Sequence, residues 1–284
     1  MHKSISRGVG ILAVRRVLIH AFLILLCAVT ILPLWMILVN ATSSNNEINL
    51  GISLIPKDNL LQNWQDFIGF GVNPFQCLFN SLVISLGTAF VSLYASAMMA
   101  YSLVVYEYRF RKFLAGLVIC LLMVPGQIVA IGYYKLAYSV GLTNNFLALI
   151  LPSIAAPAAV YFIRQYLRDA ISLEFVQAGR IDGASEFGIF NRIMMPIMMP
   201  AIYTQAIFTF VGSWNTLFMP TLLLSNPKMS TLPMMVAMLK ADTYREQLGA
   251  QYLGIAFAVL PITLIYFMIS RQIIGGIALG GIKE

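Results

Sequence analysis

Charge is what this chain has least of. Only 10% of its 284 residues are Asp, Glu, Lys or Arg, and 60% are hydrophobic. An ordinary soluble domain carries roughly 25% charged and about 45–50% apolar residues. Folded in water, such a chain has too little polar surface to stay in solution, and its mean hydropathy of +0.83 agrees. It is an integral membrane protein. Histidine occurs twice and cysteine three times. No HExxH and no His/Cys cluster at ligand spacing is present, so neither a zinc hydrolase nor any other metal site is expected. No GxxxxGK[ST] loop occurs, which excludes nucleotide binding of the P-loop kind. Cys27 and Cys120 fall in apolar runs and Cys77 near a boundary; they read as small apolar fillers rather than a disulfide framework.

The few charges are also spaced. Six intervals hold none: Val17–Asn46, Phe67–Tyr106, Phe113–Tyr134, Leu136–Ile163, Ile193–Pro227 and Gln247–Ser270. A helix crossing ~30 Å of hydrocarbon needs about 20 mostly apolar residues. Each interval holds one such segment, because Phe67–Phe79, with Gly69, Gly71, Asn73 and Pro74, is too broken to add another. The expected fold is all-α, with six transmembrane helices over 17–40, 81–104, 113–134, 146–163, 197–224 and 251–270. The third holds Pro125, the fourth Pro152 and Pro157, and the fifth Pro200 and Pro220. In the fourth they read either as packing kinks or as kinks in a solute path.

An even number of spans puts both termini on one side. Thirteen Lys/Arg fall with the termini and five on the opposite face. Lys/Arg-rich loops stay cytoplasmic, so both termini are inside. The net charge of +7 then reflects topology, not nucleic-acid binding. The first apolar stretch is longer than the ~7–15 residues of a signal h-region and ends without a small-residue cleavage site, so it reads as a retained span. The uncharged intervals hold none of the ionisable relays that ion-coupled carriers keep at membrane depth. That weakens a self-contained secondary carrier and places the energy source elsewhere.

The largest inside loop, Arg164–Met195, carries the most information. Ser172 is placed to cap a helix with Glu174 in its first turn, and Leu173, Val176 and Gln177 share a face. Ile181-Asp182-Gly183 ends that helix, because Gly accepts the left-handed conformation found at helix ends. Asp182 or Ser185 caps a second helix bearing Phe187, Phe190, Ile193 and Met194. Two short amphipathic helices bent at a glycine form either a knob that needs a socket or an ordinary surface loop.

The same segment resembles the EAA loop of binding-protein-dependent ABC importer permeases (E-A-A, three residues, G, nine residues, I-x-L-P). Gln177-Ala178-Gly179 is followed by three residues, then Gly183, then nine residues to Ile193-Met194-Met195-Pro196. The run Arg180–Ser185 (RIDGAS) with Phe187, Phe190 and Arg192-Ile193 is similar to the carbohydrate branch. So are Gly212-Ser213-Trp214-Asn215 and Thr231-Leu232-Pro233, and size and hydropathy resemble the maltose-type second permease subunit. The pattern departs at Gln177 (usually Glu), Gly179 (usually Ala) and Thr216 (usually Asp). Gln at 177 puts an ion pair there in doubt, and Gly at 179, up to ~1 kcal/mol worse than Ala in a helix, suggests a looser first helix.

The resemblance implies a transport subunit, not an enzyme, in a bacterial inner membrane. It implies pairing with a second permease as a heterodimer, and two ABC ATPase subunits that bind the ATP and magnesium, with no cofactor in this chain. A sugar or oligosaccharide would arrive on an extracytoplasmic binding protein. It further implies a division into residues 1–79, a core over 80–271 with the coupling loop at 168–196, and a cytoplasmic tail over 272–284. Gln177, Ala178, Gly179, Asp182, Gly183, Ala184, Phe187 and Pro196 would form the ATPase contact. Trp214, Asn215 and Tyr133 are candidate solute contacts, against a packing role for the Trp and Asn. Asn144 and Asn145 read as loop caps or as a surface for the binding protein. A permease for glycerol phosphate or a polyol is the alternative within the same class.

Overall fold

A computed structural model describes residues 2–170, 174–241 and 247–280; Ser172, Leu173, Arg245 and the last four residues of the expected tail lie outside them. Among the described residues every regular element is helical. The chain divides into two compact units, one built from the first 70 residues with Leu239–Phe257, the other from Gly71–Met238 with the chain from Ala258 onward.

In the first unit, α1 (His2–Ala41) carries the first apolar run, and its side chains from Arg15 to Trp35 are exposed. The outside loop holds two short helices, α2 (Asn45–Asn49) and α3 (Leu60–Ile68). Ser44 and Glu47 close a reciprocal capping box at the start of α2, satisfying two orphan backbone donors. Asn63 of α3 is buried and donates from Nδ2 to the carbonyls of Ala41 and Ser43, both at 2.9 Å. Phe67 is fully buried and meets Phe257 edge-on at 5.7 Å.

The second unit is organised around α4 (Pro74–Val105). Asn73 caps it by accepting from the N–H groups of Phe75 and Gln76, and Pro74 sits where no N–H is needed. Its buried face runs Ser81, Ser85, Ala89, Ser92, Ser96 and Ala100 at helical spacing. These small side chains let neighbouring backbones approach closely, the usual basis of helix packing in lipid. α5 (Arg111–Leu122), α6 (Gly126–Ser139) and α7 (Leu147–Ile150) follow, then α8 (Pro157–Ala170). At Gly87 of α4 a Cβ would stand 2.8 Å from Ile150 Cδ1, so a larger residue there would push the end of the Ile150 side chain aside.

One expected span, the fifth, is corrected, and the third is interrupted where its proline implied: α5 and α6 meet at 101°, because Pro125 lacks an N–H and takes an extended conformation (ψ 124°) ahead of α6. Five described helical stretches are long and apolar enough to cross a membrane, and six crossings result when the bent pair counts as one. The fifth span begins earlier and ends earlier than 197–224. After α9 (Glu174–Ile181), helix runs unbroken from Glu186 to Trp214, through α10 (Glu186–Ile189), a π-helical turn over Phe190–Met194, and α11 (Met195–Trp214). The ring of Pro196 would press on the carbonyl four residues back, and the wider turn ahead of it absorbs the misfit. Beyond Trp214 the chain continues as a separate helix, α12 (Phe218–Leu223), then α13 (Leu232–Ala241) and α14 (Leu248–Gly280).

Candidate functional site: the cytoplasmic coupling turn

α9 ends at a glycine and α10 starts at a serine, and both boundaries follow from local chemistry. Gly183 has φ +78°, the left-handed region. Its N–H donates to Arg180 O at 3.1 Å, and that of Ala184 reaches back to Gly179 O at 3.0 Å. These two bonds make a Schellman ending. Between the alternatives for the second cap, Ser185 supplies it: its Oγ accepts the Gly188 N–H at 3.1 Å.

The turn has a buried side and an exposed side. Val176, Gly179 and Ile189 are buried. A Cβ on Gly179 would lie 3.0 Å from Ile193 Cδ1 and 3.1 Å from Ile189 Cγ1. The missing methyl is therefore space that lets α9 lie close against the two isoleucines, so the expectation of a looser helix is replaced by close packing. On the other side Gln177, Ala178, Asp182, Gly183, Ala184 and Phe187 are exposed together. The same side presents three large apolar side chains, Phe175 (54% exposed), Ile181 (86%) and Phe187 (64%). Pro196 is also exposed, further along α11.

A polar strap ties this turn to the cytoplasmic end of α4. Arg180 Nε pairs with Glu186 Oε1 at 2.7 Å, and its Nη2 reaches Oε2 at 3.3 Å. The hydroxyl of Tyr106 donates to Oε2 of the same carboxylate, and the Arg180 guanidinium lies 5.8 Å from the Tyr106 ring centre. Burial, reinforced by the Glu186 carboxylate, pushes the Tyr106 phenol well above its usual range, so it remains a donor. One turn further along, Tyr94 donates to Asn191 Oδ1 at 3.2 Å, and the Tyr94 ring meets Phe190 edge-on at 5.8 Å. Tyr106, Arg180 and Glu186 were not singled out from the sequence as contacts of one another; Tyr106 and Glu186 stand 80 residues apart.

The three solute candidates do not converge. Trp214 is 2% exposed, stacks on Phe210 at 5.4 Å, and donates its indole N–H to Ala258 O at 3.1 Å. Tyr133 gives its hydroxyl to Ala148 O. Asn215 caps the end of α11 with an exposed side chain. Asn144 acts as a loop cap: at φ 55° its Oδ1 accepts the N–H groups of Ser225 (2.7 Å) and Asn226 (3.0 Å). Asn145 Oδ1 accepts the Leu147 N–H at 2.9 Å. In Thr231-Leu232-Pro233, the Leu232 N–H donates to Ser81 Oγ at 2.9 Å. No three His, Cys, Asp or Glu side chains among the described residues stand close enough to hold a metal ion.

Comparison with known proteins agrees with this architecture. The chain is 31% identical over 274 residues to the arabinooligosaccharides transport system permease protein AraQ of Bacillus subtilis, covering 95% of this chain and 97% of that one. It is 28% identical over 226 residues to the sn-glycerol-3-phosphate transport system permease protein UgpE of Agrobacterium fabrum, covering 77% and 80%. The fold matches a chain of a bacterial ABC transporter involved in the import of the acidic polysaccharide alginate, with a TM-score of 0.77 at 16% identity over 90% of this chain and 95% of that one. Residues 92–277 match the family described as the inner membrane component of binding-protein-dependent transport systems. With this match over most of its length, the chain belongs to that family: it is a membrane-spanning transport subunit, not an enzyme.

Proposed function

We propose that this chain is one of two permease subunits in an ATP-driven importer for a sugar or oligosaccharide, and that its α9–α10 turn docks in a cleft of an ABC ATPase subunit. The ATPase subunits bind the ATP and magnesium; this chain carries no cofactor. The observation that carries the reading is the turn itself, with Phe175, Ile181 and Phe187 held outward. Its inner side is packed on Ile189 and Ile193 and strapped through Arg180 and Glu186 to Tyr106. Three exposed aromatic and aliphatic side chains on a rigid turn are an interface waiting for its partner. ATPase closure drives transport only if the closed dimer binds one conformer of the permease more tightly than the other. A rigid turn continuous with the fifth span transmits that difference in affinity.

An extracytoplasmic binding protein delivers the solute. The arabinooligosaccharide relative, similar over nearly the whole chain, favours an oligosaccharide over glycerol phosphate. The test is reconstitution of the affinity-purified complex in vesicles with its binding protein, followed by uptake of labelled arabinooligosaccharide or glycerol 3-phosphate with and without internal ATP. ATP-dependent uptake of the oligosaccharide, abolished by Gly183→Asp at normal insertion, is the expected result. Uptake by the chain alone without ATP overturns the reading in favour of a secondary carrier.

A further inference from the structure

α5 and α8 lie side by side, and their cytoplasmic ends enclose a pocket of ≈ 510 Å³ lined by Arg111, Lys112, Ala115, Arg164 and Arg168. Four cations meet there with no acid. Among the described residues the ion pair Arg180–Glu186 involves none of them. Arg111 is held in place by two bonds to the end of α4, from Nε to Leu103 O at 2.8 Å and from Nη2 to Val104 O at 3.2 Å. Arg164 Nε is buried and has no hydrogen-bond partner. Lys112 and Arg168 are exposed. Four like charges in one pocket repel one another, and a donor left without an acceptor is costly; an anion seated among them relieves both.

A second cavity begins one helical turn deeper, between the same two helices. It is apolar, ≈ 310 Å³, and its walls include Leu114, Leu117, Val118 and Leu121 of α5 with Pro157 and Val160 of α8. Leu117 and Leu121 remain 40% and 45% exposed along it. From Arg111 to Leu121 the helix rises about 15 Å, half of a ~30 Å hydrocarbon layer. A cationic collar at the membrane surface above an apolar groove one leaflet deep has the dimensions of a single lipid. We propose that this groove binds an anionic phospholipid of the cytoplasmic leaflet, its phosphate in the four-cation pocket and one acyl chain between α5 and α8.

The full-length chain, with the subunits that accompany it, is purified in mild detergent. Phosphatidylglycerol or phosphatidylcholine of matched acyl chains is then titrated in, and bound lipid is counted by native mass spectrometry. The wild type is expected to retain phosphatidylglycerol and to release phosphatidylcholine. Each cation near an anionic lipid surface is worth about a fivefold change in binding, so Lys112→Gln with Arg168→Gln is expected to weaken retention about 30-fold. Both side chains are exposed, and an unchanged melting temperature in lipid-free detergent shows that the variant is folded. Lys135→Gln with Lys240→Gln, at cations of the opposite face, is expected to leave retention unchanged. Equal retention of the two lipids, or undiminished retention by the Lys112/Arg168 variant, overturns the proposal. Displacement by sodium phosphate assigns the pocket to a free anion, and loss of lipid when the second permease or the ATPase is added assigns the face to that subunit; either result also overturns it.

Discussion

Gly183 offers a way to separate backbone strain from partner contact at one position. Its φ of +78° costs a residue bearing a Cβ about 1–2 kcal/mol, less for Asn or Asp. A Cβ built there meets no atom of the chain within 4 Å, so the strain comes without a clash. A cost of ~1 kcal/mol lowers the equilibrium constant for forming the turn about fivefold, and Gly183 itself is exposed. Gly183→Ala should therefore insert normally and lose no more than about fivefold in ATP-driven uptake. If strain were the whole effect, Asn and Asp, which tolerate the left-handed region better, would transport at least as well as Ala. If the open space at Gly183 is filled by an ATPase subunit, the order reverses and the larger Asn and Asp are worse than Ala. We expect the reversed order, accompanied by loss of the ATPase subunits on purification. The assay is uptake in vesicles at matched insertion, read beside the ATPase retained per permease. Recovery of uptake by Gly183→Asn above Gly183→Ala refutes the reasoning, because the position would then matter only as a turn.

Trp214→Ala removes a buried ring stacked on Phe210 and is expected to cost about 3–5 kcal/mol. Trp214→Phe keeps the stack, loses the bond to Ala258 O and costs about 1 kcal/mol; melting of the purified complex checks both, and an unchanged uptake KM for Trp214→Phe supports a packing role. Asn144→Ala loses two accepted N–H bonds and leaves alanine at φ 55°, about 2–4 kcal/mol in all, measured as faster protease cleavage near Asn226. The Arg180–Glu186 pair is half-exposed, at 44% and 49%, so Glu186→Gln should shift stability by less than about 1 kcal/mol; combined with Tyr106→Phe it should nonetheless reduce ATP-coupled uptake, and a double-mutant cycle with no coupling energy sinks the strap. The Ser44 N–H and hydroxyl hold the Glu47 carboxyl below its usual range. Its contribution to the α2 cap is thus complete above the ordinary carboxylate pKa and lost as pH falls through the lowered folded value. Amide exchange of residues 45–49, taken at each pH relative to Glu47→Gln, should show the wild type protected at neutral pH and equal to the variant in acid.

The membrane plan was legible in the sequence because it is written in long-range composition. Apolar run length sets the crossings and the Lys/Arg distribution sets the sides, and neither needs a contact to be known. The turn between α9 and α10 was legible because Gly183 and Ser185 act within four residues of themselves. The start of the fifth span was hidden: Arg192, Pro196 and Pro200 look like a break, and only the π-helical turn shows how helix passes through them. Gly179 read as a weakness until Ile189 and Ile193 were seen against it. Tyr106 and Glu186 share a hydrogen bond that no local period connects, and the indole of Trp214 finds its acceptor at Ala258, 44 residues away.

The unbroken helix from Glu186 to Trp214 has a consequence for how this chain can change. Each residue added to a helix turns everything beyond it by about 100° and shifts it ~1.5 Å. One residue inserted between Met198 and Phe210 would swing Phe187 to a different side of the axis relative to Trp214, although neither residue had been touched. A change of length along such a stretch alters the phase of everything beyond it unless it comes in sevens or elevens, which bring the phase back to within about 20°. The segment between α12 and α13 carries no such constraint, since Leu224–Thr231 is turn rather than helix apart from the short 3₁₀ turn at Pro227–Met229. The phase of the long helix, together with its contacts, sets which way the α9–α10 turn faces.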